Sequence, residues 1–521
     1  MIPTDPTLAP ENILIGLLLA ALTIAGLVLG AFRWLRVAQR EHYIAPWTTR
    51  IAAIWVNVRP INYVIIAGAV VLAGVSFVPG LALLAEPAIV IAAAFPWGLG
   101  VRGTSAKLAW TPRLNRLAVG WMLVVFVLLV GLLLLVGPGI GAILILALPL
   151  ITDLALAILK PIEKSLSHKF LVSARKRLEQ VRPKVVAITG SYGKTSTKGY
   201  VAHILGGAFS TVASPASFNN LMGLSRAVNE RVVPGTEVFI AEMGVYGRGE
   251  IRELSESFPP DIAAITTIGE AHLARMGSRE VIFQAKSEIT EKAKTVVLPV
   301  DEKELRGLVD VCRAQGKRVI TVSTVPGTEA DVVVDAAAGT VTVGADSAPV
   351  TIPAVGHAVN LAIAVGIAVA LDLDLPSIAK RLEALPDSQH RAEIQEAPNG
   401  VLIIDDTYNA NPVGADRAVR GAAALAAERG GPFIVVTPGM VELGSVQVER
   451  NTTLARTVAL LGGHLYAVAR TNRAALAAGT RGGPNPVQLF DTRVAAVAAA
   501  LDQAGERGVI LYENDLPDHY P

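Results

Sequence analysis

Lys194 follows Gly190-Ser191-Tyr192-Gly193 and precedes Thr195-Ser196-Thr197-Lys198. Glycines at those two places let backbone N–H groups turn toward phosphate oxygens. A lysine there reaches the outer phosphates, and a threonine hydroxyl beside it can hold Mg2+. Residues 185–189 just before are β-branched and read as a buried parallel strand; the residues after, to Leu205, read as a helix. A glycine loop between strand and helix is an anion site, because the helix N-terminus adds partial positive charge. The chemistry is nucleotide phosphoryl transfer, with Gly190, Ser191, Gly193, Lys194, Thr195 and Ser196 contacting ATP and Thr195 also on Mg2+. The full Walker spacing would place a glycine where Ile188 stands, so the match is to the shorter G-x-x-G-K-T form.

Four acidic or imidazole side chains stand at similar places. Glu242 ends the apolar run 238–241, and Asp405-Asp406 follow 401–404. A carboxylate at the C-terminal end of a parallel strand faces the crevice where nucleotides bind. There it can hold Mg2+ beside Thr195 or a ribose hydroxyl. His272 follows the apolar run 262–266 after a short loop.

These segments occur with others in a fixed order. Ser217-Phe218-Asn219-Asn220 and Gly223 come after the loop, then Ala241-Glu242-Met243-Gly244 and Gly249-Glu250-Ile251. Thr267 to Leu273 and Ala285-Lys286-Ser287-Glu288-Ile289 follow. Later come His357, Asn360, Arg391, Asp405 to Pro412, and Gly439-Met440-Val441-Glu442-Leu443-Gly444. In this order the sequence resembles the Mur ligase family, and most its MurF-type branch, which adds D-alanyl-D-alanine, over residues 185 to the end. The resemblance implies that Glu242 and His272 bind metal and that Asn219, Asn220, Asn360 and Asp406 bind the nucleotide. It implies that Arg391 completes the phosphate clamp and that Lys286 is carbamylated into a further Mg2+ ligand. Lys194, Lys286, His272 and Arg391 are then the catalytic residues.

The resemblance has departures. The family's own N-terminal domain is absent. His390 stands for the glycine before the arginine, Ala358 for an asparagine, Gly414 for a serine and Gly439 for an aspartate. The end, Tyr512-Glu513-Asn514-Asp515, is not basic as in MurF-type enzymes. Nucleotide and metal residues are intact while substrate recognition is altered. A ligase making another polymer, such as poly-γ-glutamate, shares the same motifs. A non-catalytic nucleotide-binding membrane scaffold would be expected to have lost Lys194, Glu242 or Lys286.

The elements that position these residues are α/β. Residues 185–386 alternate short apolar strands with helices, as a P-loop central domain does, with hairpins at 331–352. Residues 387–521 read as a smaller Rossmann-like domain with strands near 403, 433–437 and 465–469. The excess of apolar residues, 52% overall, lies before Lys160. Residues 1–160 read as a transmembrane bundle of about five helices: 13–32, 61–99 broken in two by Pro79-Gly80, 117–136 and 140–159. Residues 161–184 read as a basic linker helix. Arg33, Arg36, Arg40, Arg50 and Arg59 fall on one side with Arg102, Lys107, Arg113, Arg116, Lys160 and Lys164. That asymmetry puts the N-terminus outside and everything after Lys160 in the cytoplasm. Net charge of +2 gives no sign of a nucleic-acid partner, and the single cysteine, Cys312, excludes an internal disulfide. The expected partners are a small or lipid-linked peptide precursor, an amino-acid or dipeptide amine, and proteins of cell-wall synthesis.

Overall fold

The structure, a computed structural model, describes residues 10–103, 108–135, 139–216, 218–350, 358–383, 385, 393–407 and 410–521. The chain forms two compact units, Met1–Leu166 with Leu516–Pro521, and Ser167–Asp515.

The first unit is helical: α1 (Pro10–Arg40), α2 (Trp47–Val58), α3 (Ile61–Val75), α4 (Ala85–Ala93), α5 (Pro112–Leu135), α6 (Ile140–Leu146) and α7 (Leu148–Val181). Small residues let the helices approach. Gly26 and Gly30 lie one turn apart on α1, and a Cβ there would run into Ile145 and Leu148; one on Gly120 would lie 2.8 Å from Leu159. Trp34, Trp55, Trp121 and Leu114 fill the centre. Buried polar ends are satisfied from afar. The Asp153 carboxylate accepts from the backbone N–H groups of Thr48 and Thr49 at 3.2 and 2.8 Å and so caps α2. The outside is apolar: Leu14, Val64, Val71, Leu123, Phe126, Val127 and Leu150 are each more than half exposed.

The structure shows how the apolar stretches of the five expected spans fold. Among the described residues two helices are long and apolar enough to cross a membrane, Leu14–Arg40 and Pro112–Val130, or up to four spans if two bent helix pairs count as one each. The break at Arg59-Pro60 bends α2 against α3 by 108°, and the break at Ala147 bends α6 against α7 by 65°. After Pro79-Gly80 the apolar helical stretch is Ala82–Ala93, a 3-10 turn running into α4, which is short for a hydrocarbon core of about 30 Å. The basic stretch expected as a separate linker is the second half of α7, which runs unbroken through Pro161.

Leu516–Pro521 packs inside this helical unit. Arg36 donates to Asp518 at 2.6 Å and to the Gly100 carbonyl at 2.9 Å; Trp55 Nε1 donates to the His519 carbonyl at 2.8 Å; His519 Nε2 meets Glu41 at 2.9 Å. Arg36 and His519 are each 1% exposed. Removing one partner of a buried ion pair is costly. Asp518→Ala is therefore expected to destabilise the helical unit by about 3 kcal/mol, read as an earlier thermal transition in detergent; an unchanged transition would show that the tail contributes no stability.

The second unit holds two sheets. The first contains β1 (Lys184–Thr189), β2 (Thr211–Ala213), β3 (Val238–Glu242), β4 (Ile262–Ile265), β5 (Thr295–Pro299), β6 (Arg318–Ser323), β7 (Val332–Asp335), β8 (Thr340–Val343) and β9 (Asp346–Pro349). Their order is β2-β3-β1-β4-β5-β6-β7-β8-β9. Pairing is parallel from β2 to β7, while β8 and β9 add the antiparallel hairpins that the sequence suggests. Along β1 the side chains alternate. Val185 and Ala187 join one core, Val186 and Ile188 the other, because the strand is covered on both faces. The helices are α8 (Lys194–Leu205), α9 (Leu221–Arg231), α10 (Glu250–Ser257), α11 (Leu273–Met276), α12 (Arg279–Ser287), α13 (Lys303–Ala314), α14 (Ala358–Ala370) and α15 (Leu375–Leu382). With β3 and β4 flanking β1, the connections diverge at the end of β1, where a doubly wound sheet binds its ligand.

The second sheet has the order β10-β11-β15-β12-β13-β14. Its strands are β10 (Glu393–Glu396), β11 (Leu402–Asp406), β12 (Phe433–Thr437), β13 (His464–Val468), β14 (Gln488–Phe490) and β15 (Val509–Glu513). Only β10 is antiparallel. Helices α16 (Pro412–Arg429), α17 (Gln447–Leu460), α18 (Arg473–Gly479) and α19 (Arg493–Ala504) cover it. Asn411 caps α16 by accepting from Gly414 N–H at 2.8 Å, Pro412 opens the helix, and Gly430 in the left-handed region ends it.

Candidate active site

The loop after β1 is built around glycines. Gly190 and Gly193 have φ of 150° and 80°, and a Cβ on either would collide with Thr266 or Asn360. Ser191 N–H donates to the Thr267 carbonyl at 2.8 Å, and Ser191 Oγ accepts from Gly269 N–H at 2.8 Å, so the loop is fixed against the segment after β4. Gly193 caps α8, whose first-turn amides (Lys194, Thr195 and Ser196) point back toward the loop by helix geometry. Lys194 Nζ lies over the loop, 2.7 Å from the Gly190 carbonyl.

Glu242 ends β3 opposite Ile188 in the register and is 3% exposed. Its carboxylate accepts from Thr195 Oγ1 at 3.1 Å and from Lys198 Nζ at 2.8 Å, and Asn219 Nδ2 lies 3.5 Å away. Burial pushes this carboxyl up, but the Lys198 charge and hydrogen bond, with Lys194 and Thr195, outweigh it and hold it below its usual value. Glu242 is therefore a buried anion at neutral pH. Lys198 stands in the sequence motif one turn after Lys194, and that i,i+4 spacing is the signal by which it could have been assigned a role.

Lys286, on α12, is 2% exposed and makes no ion pair among the described residues. Burial, then the nearby Lys194 charge, lowers its pKa well below that of an ordinary lysine, so the amine is held toward its neutral form. His272 caps α11 in the left-handed region, φ 61°, with its ring edge-on to Tyr246 at 5.0 Å. Its Nδ1 is 2.7 Å from Oε2 of Glu442, on the loop after β12. Burial lowers the imidazole pKa; Glu442 opposes this, while Lys286 and Lys194 add to it. Burial would raise the Glu442 carboxyl, but the hydrogen bond and charge of His272 and the Arg275 guanidinium, 2.6 Å away, bring it to about 2. Arg450 on α17 also holds Glu270, at 2.6 Å. These contacts from the second sheet's lobe to the first were not legible beforehand, since about 170 residues separate the partners.

A cavity of about 610 Å3 lies between the two lobes, lined by Tyr192, Gly193, Asn360, Asn411, Pro412 and Arg417 among others. Asn360 is 1% exposed and its Nδ2 has no partner among the described residues. An unpaired buried amide at a cavity wall is costly unless a ligand meets it. Asp406 ends β11 outside that lining, and its charge acts on Arg417. The Asn220 side-chain oxygen caps α9 by accepting from Gly223 N–H at 2.9 Å, which accounts for that residue as a helix cap. Asn219 turns toward Glu242 instead. Arg391, His357 and Ser217 lie outside the described residues. Among those residues no three His, Cys, Asp or Glu side chains gather for a metal; the expected set has only Glu242 and His272 of that kind, with Thr195 and a modified Lys286 to complete it.

Glu513, at the end of β15, is fully buried against Thr437 Oγ1 at 2.9 Å. Burial, with Asp406 nearby, pushes its carboxyl up to about 8 from 4.5. Between those values the folded state holds a proton that the unfolded chain has lost. Stability therefore falls as pH rises through that window, by at most about 1.4 kcal/mol per pH unit, and is level above it. Glu513→Gln is expected to raise the melting temperature at pH 9 but not at pH 4; equal gains at both would refute the assignment.

Residues 188–369 match the Mur ligase middle domain, and residues 390–512 the Mur ligase glutamate ligase domain. A UDP-N-acetylmuramoyl-tripeptide–D-alanyl-D-alanine ligase of Mycobacterium tuberculosis is 35% identical over 237 residues, 44% of this chain and 46% of that protein. The enzyme of that name from Bacillus subtilis is 31% identical over 283 residues, 53% and 60% of the two chains. The chain thus spans about half the length of such relatives. The crystal structure of MurF from Acinetobacter baumannii superposes with a TM-score of 0.56 at 26% identity, covering 67% of this chain and 77% of that one. MurF ligase from Thermotoga maritima, solved with ADP, shares the fold with a TM-score of 0.56 at 23% identity. By its middle and C-terminal domains, the chain belongs to the Mur ligase family.

Proposed function

We propose that this protein is an ATP-dependent ligase that joins a carboxyl group to an amine, adding an amino acid or a dipeptide such as D-alanyl-D-alanine to a cell-wall peptide precursor. The names of its relatives support the substrate class. The ADP complex of the Thermotoga maritima enzyme supports the nucleotide. The observation that carries the reading is the buried Glu242 carboxylate, 3.1 Å from the Thr195 hydroxyl at the mouth of the glycine loop.

In such a reaction the carboxylate attacks the γ-phosphorus of ATP, giving an acyl phosphate and ADP; the amine then displaces inorganic phosphate. The enzyme's part is charge and position. Lys194 and the first-turn amides of α8 meet the phosphate oxygens. Asn360, whose Nδ2 has no partner among the described residues, meets the nucleotide in the cavity, and Asp406, whose charge acts on Arg417, serves the ribose. Arg391, assigned by the family resemblance, would add a guanidinium to the phosphate clamp. The residues fit a hard divalent cation: Glu242 and Thr195 offer oxygens, and the Lys198 ammonium shows that this carboxylate is matched to positive charge. Bound there, Mg2+ would offset charge on the transferring phosphoryl oxygens. His272 and a carbamylated Lys286 complete that set. Two lobes around the cavity keep water from the acyl phosphate.

On this reading the helical unit anchors the ligase domains at the cytoplasmic face of a membrane. Its exposed apolar side chains support this, as does the gathering of Arg and Lys on one side when an odd number of spans is crossed, such as α1, α5 and the α6–α7 pair with α2–α3 re-entrant. The domain limits at 160, 184 and 386 belong to the same reading. A membrane-held enzyme suits a lipid-linked precursor or one presented by a partner protein.

The test is ADP release by the full chain in lipid nanodiscs, with a nucleotide-linked muramoyl tripeptide and a panel of amines. Release that requires both the precursor and D-alanyl-D-alanine is expected. Release with glutamate instead would move the assignment to a polyglutamate-type ligase, and no release with any amine would refute the ligase.

A further inference from the structure

We propose that Glu442 is a positioning residue for His272, so that the cation site of the first lobe is completed by a side chain of the second. This rests on the proposed role of His272 as a metal ligand. A carboxylate can only accept, so at 2.7 Å it fixes the imidazole proton on Nδ1. The lone pair is then on Nε2, the ring atom facing away from Glu442 and available to a cation. Carboxylate support of this kind orients a metal-binding histidine and raises its basicity.

The surroundings argue that this contact is held in place. Glu442 and His272 both have left-handed backbones, φ 62° and 61°. Non-glycine residues there are strained and persist only where the surroundings demand them. Glu442 is held three further ways: Arg275 reaches its other oxygen at 2.6 Å, its carbonyl accepts from Ala274 N–H at 3.0 Å, and Gly444, φ 58°, comes close to Ala274 where a Cβ would stand at 3.3 Å. The loop 439–444 thus docks on the turn that carries His272. Separating the lobes removes the acceptor from Nδ1 and frees the ring to take the other tautomer. Lobe closure and cation binding are then one event, and a nucleotide that draws the lobes together also strengthens the metal site.

The experiment is Mn2+ titration of the full-length protein in detergent, with a non-hydrolysable ATP analogue, followed by electron paramagnetic resonance. Glu442→Ala is expected to bind Mn2+ about 10–100-fold more weakly. The far-ultraviolet circular dichroism and thermal transition should stay near those of the wild type, which shows that the variant is folded. Glu442→Gln, which can still accept a hydrogen bond but lacks the charge, should fall between. It serves as the reading if the alanine variant does not fold. Wild-type Mn2+ affinity in a folded Glu442 variant overturns the proposal. His272→Ala separates the two layers of the argument. If it weakens Mn2+ binding while the Glu442 variants do not, only the positioning role fails; if it has no effect, the metal role of His272 fails first.

Discussion

Lys194→Ala is expected to lower ATP turnover by about a thousandfold or more, the loss typical when one preorganised donor to a charged transition state is removed. The ammonium lies over a loop whose geometry only glycine at 190 and 193 permits, so no neighbour can move in to replace it. Lys198 cannot substitute, because it is held at 2.8 Å by Glu242 and is 7% exposed. The helical unit contains no part of the loop, and its thermal transition should not change. ADP release at saturating substrate is the readout; turnover within a few-fold of wild type would remove the phosphate-loop assignment.

Lys286→Met should have an effect of similar size on turnover and the opposite effect on stability. A fully buried lysine with no counter-charge is costly to keep charged. Its folded pKa is well below 10.5, so the wild-type protein gains stability as pH rises through the interval between the two values, and the variant should lose that dependence. A neutral amine is also the form that adds CO2, giving a carbamate and releasing one proton. Intact-protein mass spectrometry in bicarbonate buffer is expected to show one added CO2 on the wild type and none on the variant. A methionine variant with full turnover would make Lys286 a structural residue.

What could be read in the sequence was whatever is local. The strand, loop and helix around Lys194 announce themselves within about twenty residues through β-branched runs and glycines. Glu242 was placed by its position at a strand end, and the hairpins at β7 to β9 by turn glycines. Three kinds of feature were not legible. Long-range pairs such as His272 with Glu442 depend on how two lobes meet. Local capping hides inside motifs: Asn220 carries a motif position but its oxygen serves α9. Apolar runs fix composition and not continuity, so neither the 108° bend at Arg59-Pro60 nor the shortness of the helix after Gly80 was legible. The strand β15 was missed because its apolar face lies next to a polar tail; the tail itself, with Asp518 and His519, is held in the helical unit by partners more than 450 residues away.

The most direct measurement is the structure of the full chain with Mn2+ and a non-hydrolysable ATP analogue. The phosphates are expected against the amides of 190–195 with Lys194 on the outer ones, the base in the cavity beside Asn360 and Pro412, and a Mn2+ on Thr195 and Glu242. A nucleotide bound elsewhere, or Mn2+ distant from both Glu242 and His272, would contradict the account.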